Sequence, residues 1–260
     1  MNEDVPKRHS LAAVLIVFNE EDKLENCLKA LDWFDEVIVV DGGSRDRSLE
    51  ISQKYASKVL RRSFDNFSNQ KNFAADESQC EWIFSLDADE VISPELKESI
   101  LKSVEGDGDS DGFYVKRRNI IFGKELQYGA QGPEKILRLY RKSRGRFQQP
   151  IHEKVVVAGK TGSLGGDLWH HSLPDLHSYE RKLELYTQFE AQWLLERGSR
   201  PTFFHLAVMP ILRFVYHYFG RLGFLDGYEG FLFHVLSSFY YFLKYAKLAE
   251  LHAKRSQKPI

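Results

Sequence analysis

The sequence predicts an α/β fold, with a mostly parallel Rossmann-like sheet flanked by helices and an apolar helical appendage at the C-terminus. Three observations lead to this prediction. Residues 11–18, 36–40 and 82–86 are short, nearly continuous apolar runs. Helical patterns separate these runs, which is typical of parallel strands covered on both faces. From residue 203 onward the chain becomes strongly apolar and aromatic.

The elements of the first half follow in order from capping and periodicity. After residues 11–18, the apolar positions Leu24, Cys27, Leu28 and Leu31 define one face of a helix. After residues 36–40, Ser44 or Asp46 is expected to cap a helix that ends near residue 55. A short strand at residues 58–61 and a helix at residues 68–77 lead to the strand at residues 82–86.

The second half continues with a helix and several strands. Pro94 is expected to open a helix that ends near residue 104. Alternating patterns at residues 112–118 and 135–141 predict strands, as does the apolar run at residues 155–157. A further short strand is expected just before residue 169, and residues 175–197 predict an amphipathic helix.

Composition excludes several classes of function. The 36 Lys and Arg residues nearly balance the 37 Asp and Glu residues, so no overall charge indicates a nucleic-acid partner. Cys27 and Cys80 are the two cysteines, and their spacing fits neither a disulfide framework nor a metal site. The first ten residues carry no apolar signal-peptide core. We therefore expect a cytoplasmic protein.

The C-terminal region contains two apolar runs, at residues 203–219 and 231–245, separated by a glycine-rich segment. Each run is close to the shortest length that can span a bilayer, and histidine or basic residues interrupt both. The pattern favours a helical hairpin in the membrane interface, with basic side chains reaching the lipid headgroups. The alternative is that these helices pack on the main domain or form the interface of a homo-oligomer.

Polar side chains follow three predicted strands at the point where each strand ends. Asn19 and Glu20 follow the first, Asp41 ends the second, and Asp87-Ala88-Asp89-Glu90 follows the fourth. Carboxyl ends of parallel strands meet at one edge of a sheet, where open α/β sheets bind ligands. Clustered carboxylates repel one another unless a cation neutralises them, and Mg²⁺ or Mn²⁺ suits such oxygen ligands. A solvated acidic turn is the alternative for an isolated Asp-X-Asp.

Other nucleotide sites are less consistent with the sequence. The segment Asp41-Gly42-Gly43-Ser44 lacks the spacing of a G-x-G-x-x-G fingerprint, and no Gly-Lys-Ser/Thr occurs for a P-loop. The two glycines nevertheless allow a tight turn and close approach of a ligand to the backbone. Arg45, Arg47 and Lys71 are candidate cations for a phosphate, although each is more often an ordinary surface charge.

Taken in order, Asn19-Glu20, Asp41-Gly42-Gly43-Ser44 and Asp87-Ala88-Asp89-Glu90 resemble the motifs of the inverting family 2 glycosyltransferases, which have a GT-A fold. The resemblance covers residues 11–172. It implies that Asp41 recognises the nucleotide base, and that Asp87 and Asp89 hold the ribose and a Mg²⁺ or Mn²⁺ ion. The nucleotide-sugar site that it implies comprises Asn19, Glu20, Asp41, Gly42, Gly43, Lys71, Asp87 and Ala88.

The reaction of this family also requires a base. Inverting transfer needs a carboxylate that removes the acceptor hydroxyl proton, and we assign Glu153 to this role with His152 beside it. An ion pair between Glu153 and a nearby lysine is the alternative interpretation. The resemblance also implies that a histidine completes the metal shell, for which His170 is our first candidate and His171 the second. A structural role for the two histidines is the alternative.

The motifs together with the apolar tail most resemble those of bacterial lipopolysaccharide-core β-1,4-glucosyltransferases. This resemblance implies a UDP-sugar donor, with UDP-glucose first, and a lipid-linked acceptor such as the lipopolysaccharide inner core. It also implies a peripheral position on the inner face of the cytoplasmic membrane. A nucleotidyltransferase on a similar fold and a non-catalytic sugar-nucleotide-binding or membrane scaffold protein remain the alternatives.

We therefore divide the chain into five predicted segments. Residues 1–10 are a flexible N-terminus, and residues 11–172 are the catalytic domain. Residues 173–200 form an amphipathic helix that links to the apolar hairpin at residues 201–250. Residues 251–260 are a flexible tail.

Overall fold

The computed structural model describes residues 10–105, 108–149 and 153–256. The chain divides into two compact units. The first runs through Arg117 and then takes in Glu134–His170, whereas the second holds Arg118–Pro133 and the chain from His171 onward. The sequence predicts a division at residue 172, close to the second of these boundaries. It does not predict that residues 118–133 leave the catalytic segment for the second unit.

The parallel part of the sheet lies in the first unit. Strand β1 pairs with β2 on one side and with β4 on the other, and β2 pairs with β3, all in parallel. Three helices connect these strands, as the alternating pattern predicts. The bounds are β1 (Leu11–Val17), α1 (Glu21–Lys29), β2 (Glu36–Asp41), α2 (Ser48–Tyr55), β3 (Lys58–Arg61), α3 (Phe67–Asp76) and β4 (Trp82–Ser85).

Antiparallel strands extend the sheet beyond β4. The strand order is β3-β2-β1-β4-β8-β6-β11-β5, with β7 paired to β6, and β9 and β10 form a separate two-stranded ribbon. The sequence did not reveal β5, β7 or β9, and it underestimated β6 and β11. The bounds are β5 (Glu90–Ile92), α4 (Pro94–Glu105), β6 (Ser110–Ile121), β7 (Lys124–Glu125), β8 (Glu134–Arg141), β9 (Gly145–Gln148), β10 (Lys154–Val157) and β11 (Lys160–Leu173).

The core explains why the first strands are continuously apolar. Leu11, Ala13 and Leu15 of β1 belong to one buried cluster, and Ala12 and Val14 belong to another. Side chains alternate between the two faces of a strand, so a strand covered on both faces has no position left for a polar residue. Helices α1 and α4 contribute to the first cluster, and α3 contributes to the second.

The start of α2 differs in detail from the prediction. Arg47 occupies the N-cap position and its side chain makes no capping hydrogen bond. Asp46 instead accepts a hydrogen bond from the backbone N–H of Ser48, and the Ser44 hydroxyl accepts one from the backbone N–H of Asn19. Helix α2 begins later than the capping pattern suggested. Ser44 and Asp46, the two predicted caps, therefore stabilise the loop before the helix and do not occupy its N-cap position.

The second unit is largely helical. Asp175 caps α5 (Leu176–Glu196), which packs against the long helix α7 (Gly227–Ser256). Along the chain, α6 (Met209–Val215) lies between α5 and α7, with the π-helical turns Phe204–Val208 and Tyr216–Gly220 on either side of it. Residues 251–256 continue α7, so the predicted flexible tail begins too early. Within the described chain, no helix has the length and apolar character that crossing a bilayer requires.

A small core explains why residues 118–133 join the second unit. Ile121 and Leu126 are fully buried and pack with Tyr179 of α5 and Phe233 of α7. The carboxylate of Asp226 also accepts hydrogen bonds from the backbone N–H groups of Gln127 and Tyr128. These apolar and polar contacts bind the β6–β7 hairpin to the helices.

We expect His234 of α7 to make the second unit sensitive to acid. The side chain is buried, and burial lowers the pKa of its imidazole from 6.5 to about 4, aided by the neighbouring His217. Between these two values the unfolded chain binds more protons than the folded chain. The free energy of unfolding should therefore fall as the pH drops through this window, by up to about 3 kcal/mol.

Urea denaturation at pH 7 and pH 5 measures this effect. His234→Gln should show a smaller difference between the two pH values than the wild type, whereas His177→Gln, which changes an exposed histidine of α5, should retain it. An unchanged difference in His234→Gln would show that other groups cause the acid sensitivity.

Candidate active site

The three predicted polar segments lie at the carboxyl ends of neighbouring parallel strands. Asp41 is the last residue of β2, Asn19 lies two residues beyond β1, and Asp87 lies two residues beyond β4. Because β1 pairs with both β2 and β4, these ends are adjacent. The three predicted segments therefore lie at one edge of the sheet.

The Asp41 carboxylate organises the glycine-rich turn that follows it. Asp41 is almost completely buried, and its carboxylate accepts hydrogen bonds from the backbone N–H groups of Gly43 and Ser44 at 3.0–3.2 Å. Gly43 has a φ of 100°, which favours glycine. The N–H of Gly42 donates to the carbonyl of Val17 at 2.8 Å, so the turn is fixed to the end of β1.

Asn19 and Glu20 join the end of β1 to the same loop. The Asn19 side-chain carbonyl accepts a hydrogen bond from the backbone N–H of Arg45 at 2.8 Å. The Glu20 backbone N–H donates to the Ser48 hydroxyl at 2.8 Å. Arg45 and Arg47 are exposed, and Arg47 lies 3.5 Å from the Glu50 carboxylate. The two predicted donor-site residues thus hold the loop in place through their backbone and amide groups.

Asp87 lies between two buried cations. Lys71 Nζ is 2.9 Å from its Oδ1, and Arg138 Nη2 is 2.8 Å from its Oδ2. Burial opposes ionisation of Asp87, yet Lys71 and Arg138 together hold the pKa of its carboxyl well below the ordinary value. Both carboxylate oxygens are therefore already bound by cations of the protein. Asp87 is less suited to a metal than the sequence pattern suggested.

Glu90 is neutralised in the same way. Its side chain is fully buried, with Arg138 Nη2 at 2.5 Å and Arg117 Nη1 at 3.6 Å from Oε1. Its Oε2 accepts a hydrogen bond from the backbone N–H of Asp87 at 3.0 Å. The sequence suggested that a metal would relieve the repulsion among these acids, whereas protein cations neutralise Asp87 and Glu90.

Asp89 and His170 form the pair that fits a divalent metal. Strand β5 pairs with β11 so that His170 faces Glu90, and His170 Nε2 lies 3.3 Å from Asp89 Oδ1. His171 is exposed, and it points to the opposite face of β11 from His170, because successive side chains of a strand alternate between its two faces. The described residues hold no cluster of three or more possible metal ligands. A carboxylate and an imidazole nevertheless fit an ion that takes its other ligands from phosphates and water.

Glu153 lies next to the Asp87 cluster. Its Oε1 is 2.9 Å from Lys71 Nζ, which also contacts Asp87, and its side chain is largely buried. Burial disfavours the charge on Lys71, but the carboxylates of Asp87 and Glu153 raise its pKa. Lys71 is thus a structural bridge between the two acids rather than an exposed phosphate ligand. His152 lies outside the described residues.

The Ala88 methyl group is buried in the core, so a contact with a donor must use its backbone.

Arg138 is a site residue that the sequence did not reveal. It lies among the apolar residues of β8 and is buried. A charged residue flanked on both sides by apolar residues was the available signal, because a buried arginine requires a buried acidic partner.

Comparisons with known proteins identify the family and relatives of this chain. The family model described as Glycosyl transferase family 2 matches residues 12–163. A lipopolysaccharide core biosynthesis glycosyltransferase, LpsC of Rhizobium meliloti, is 29% identical over 95% of this chain and 94% of its own. An uncharacterized glycosyltransferase of Rickettsia typhi is 30% identical over 94% of this chain and 88% of its own.

Among solved structures, residues 1–349 of S. aureus TarS have a TM-score of 0.43 and 14% identity, covering 95% of this chain and 92% of that one. The family match spans more than half of the chain and includes Asp41, Asp87, Asp89 and Glu153. The mixed α/β architecture described above is the GT-A fold expected from the motifs. The chain belongs to glycosyl transferase family 2.

Proposed function

We propose that this protein is an inverting glycosyltransferase that moves a sugar, with glucose as the first candidate, from a UDP-sugar to a lipid-linked acceptor. The observation that carries the proposal is the bridge formed by Lys71. Its ammonium group contacts both Asp87 of the Asp-X-Asp motif and Glu153, the proposed base. A base must lie close to the bond that breaks, and this contact places Glu153 beside the motif expected to bind the donor.

The donor site is assigned to the edge where β1, β2 and β4 end. Asp41 would accept a hydrogen bond from the uracil ring, since each oxygen of an ionised carboxylate can accept more than one hydrogen bond. Gly42 and Gly43 have no side chains, so the turn leaves space beside the uracil ring. Asp87 would face the ribose, held in one position by Lys71 and Arg138.

Asp89 and His170 would hold Mg²⁺ or Mn²⁺. Bound there, the ion would neutralise negative charge on the pyrophosphate of the donor. The protein itself provides a fixed pair of ligands, since the pairing of β5 with β11 sets the position of His170. Lys23 Nζ lies 3.9 Å from Asp89 Oδ2 and adds positive charge at the same edge.

Glu153 would accept the proton of the acceptor hydroxyl as that oxygen attacks the anomeric carbon. The contact with Lys71, 2.9 Å from Oε1, holds the Glu153 carboxylate in one position for this role. A single displacement inverts the anomeric centre, so an α-linked donor gives a β-linked product.

The acceptor is proposed from the relatives and from the apolar C-terminal region. LpsC of Rhizobium meliloti, which aligns over nearly the whole chain, is named for lipopolysaccharide core biosynthesis. The second unit also exposes many large apolar side chains, including Phe203, Ile211 and Tyr228. Such surfaces are unusual for a soluble monomer and indicate contact with a membrane or another chain. We propose an inner-core lipopolysaccharide acceptor at the inner face of the cytoplasmic membrane.

A transfer assay tests the proposal. Purified protein is incubated with Mn²⁺, a panel of nucleotide-sugars and a truncated lipopolysaccharide acceptor, and the product is analysed by mass spectrometry and NMR. We expect transfer from UDP-glucose with formation of a β-linkage. Transfer of a nucleotidyl group, or retention of the anomeric configuration, would contradict the proposed reaction.

A further inference from the structure

An open apolar groove lies in the second unit between α6, its preceding π-helical turn and α7. Its volume is about 550 Å³, within the range of small-molecule sites. Nine of the ten lining residues are apolar, and several are well exposed, such as Ile211 at 65% and Phe239 at 47%. The larger side chains that line it are Leu206, Ile211, Phe214, Phe231, Phe239 and Phe242.

The lining offers almost no hydrogen bonds to an occupant. Ser238 is its one polar residue, and the Ser238 hydroxyl donates to the carbonyl of His234 within the same helix at 2.9 Å. Pro210 has no N–H group. A sugar, nucleotide or phosphate would lose its hydration here without compensation. The groove therefore suits a hydrocarbon chain.

The charges beside the groove indicate what the hydrocarbon is attached to. Residues 203–225 contain no Asp or Glu and carry Arg213 and Arg221. Within the described chain neither arginine makes an ion pair. The Arg213 guanidinium lies over the ring of Tyr241, next to Phe242 of the groove, and its Nε is buried without a hydrogen-bond partner. An arginine without an ion pair on α6, which also lines the groove, complements a lipid with an anionic headgroup.

The two π-helical turns are a separate indication of function. Phe204–Val208 and Tyr216–Gly220 lie on either side of α6. Such turns are rare in proteins, and those that are found often lie at functional sites. The first of them contributes Leu206 and Ala207 to the groove.

We infer that this groove binds an acyl chain of an anionic membrane phospholipid, with Arg213 directed toward the headgroups. The inference rests on the proposed function and deepens it, because it identifies how the protein is held at a membrane that carries its acceptor. It concerns a site that takes no part in donor binding or chemistry.

Vesicle binding of the full-length protein, without donor or metal, tests this inference. The vesicles are phosphatidylcholine alone or with phosphatidylglycerol, and one lipid carries a photoreactive diazirine in its acyl chain. We expect stronger binding to the anionic vesicles, weakened by salt. Mass spectrometry should locate the crosslinks on residues that line the groove.

Three variants sharpen the experiment. Ile211→Glu introduces a charge at an exposed lining position and should weaken vesicle binding about tenfold or more. Val235→Trp should remove the crosslinks by filling the groove while keeping the surface apolar. Leu185→Glu is the matched control, because Leu185 is an exposed apolar residue of α5 outside the groove, and it should bind as the wild type does.

The outcomes separate the possible occupants. Equal binding by Ile211→Glu and the wild type, or crosslinks confined to other residues, would overturn the inference. A lipid-free dimer that dissociates in Ile211→Glu would show that a second copy covers the groove, which would also overturn it. Donor binding is measured in parallel. Groove-dependent vesicle binding without affinity for any nucleotide-sugar would refute the proposed function and leave the groove assignment standing.

Discussion

Replacement of Glu153 by Gln should lower kcat about a hundred- to ten-thousandfold, the contribution typical of a general base. The amide retains the shape of the side chain but cannot take up the acceptor proton. Lys71 keeps its contact with Asp87 in this variant, so the donor site should remain organised. Affinity for UDP-glucose, measured by calorimetry, should therefore change little.

Glu98→Gln provides the control for this variant, since Glu98 is an exposed residue of α4 and its replacement should leave kcat unchanged. A Glu153→Gln variant with wild-type kcat would exclude Glu153 as the base. A loss of donor affinity equal to the loss of kcat would instead assign Glu153 to donor binding.

Replacement of Arg138 by Leu should lower the free energy of unfolding by about 3–5 kcal/mol, because it removes one partner of a buried ionic network. Glu90 has no exposed side-chain surface and would lose its closest cation, and Asp87 would retain only Lys71. Urea denaturation at neutral pH measures the effect. Arg144→Leu, at an exposed position just beyond β8, is the control and should cost little.

A second readout separates charge from packing. The deficit of Arg138→Leu should shrink on acidification, because Arg138 helps to hold the pKa of the Asp87 carboxyl well below its ordinary value, and the stability gained from that lowering is lost as the pH falls. A deficit that stays constant between pH 7 and pH 3 would attribute the loss to packing instead.

Much of the fold and the edge of the site could be predicted from the sequence. A parallel strand buried on both faces must be continuously apolar, so β1, β2 and β4 stand out. The polar residues that end these runs, Asn19, Asp41 and Asp87, then have to meet at one edge. Both features are local properties of the chain.

The environment of each acid could not be predicted in this way. Arg138 and Asp87 are 51 residues apart, and Lys71 reaches Asp87 and Glu153 from α3. Such partners are set by the pairing of β4 with β8 and by helix packing, which a linear pattern does not contain. The antiparallel strands were likewise missed where they are short, as with β5, whose pairing places His170 beside Asp89.

Calorimetry with UDP-glucose and Mn²⁺ measures whether the edge formed by Asp41, Asp87 and Asp89 binds a nucleotide-sugar. We expect binding by the wild type, and by Asp109→Ala as a control at an exposed acid. Binding should be lost in Asp89→Ala. A folded wild-type protein that binds no nucleotide-sugar, or an Asp89→Ala variant that binds as well as the wild type, would show that this edge does not bind the donor as proposed.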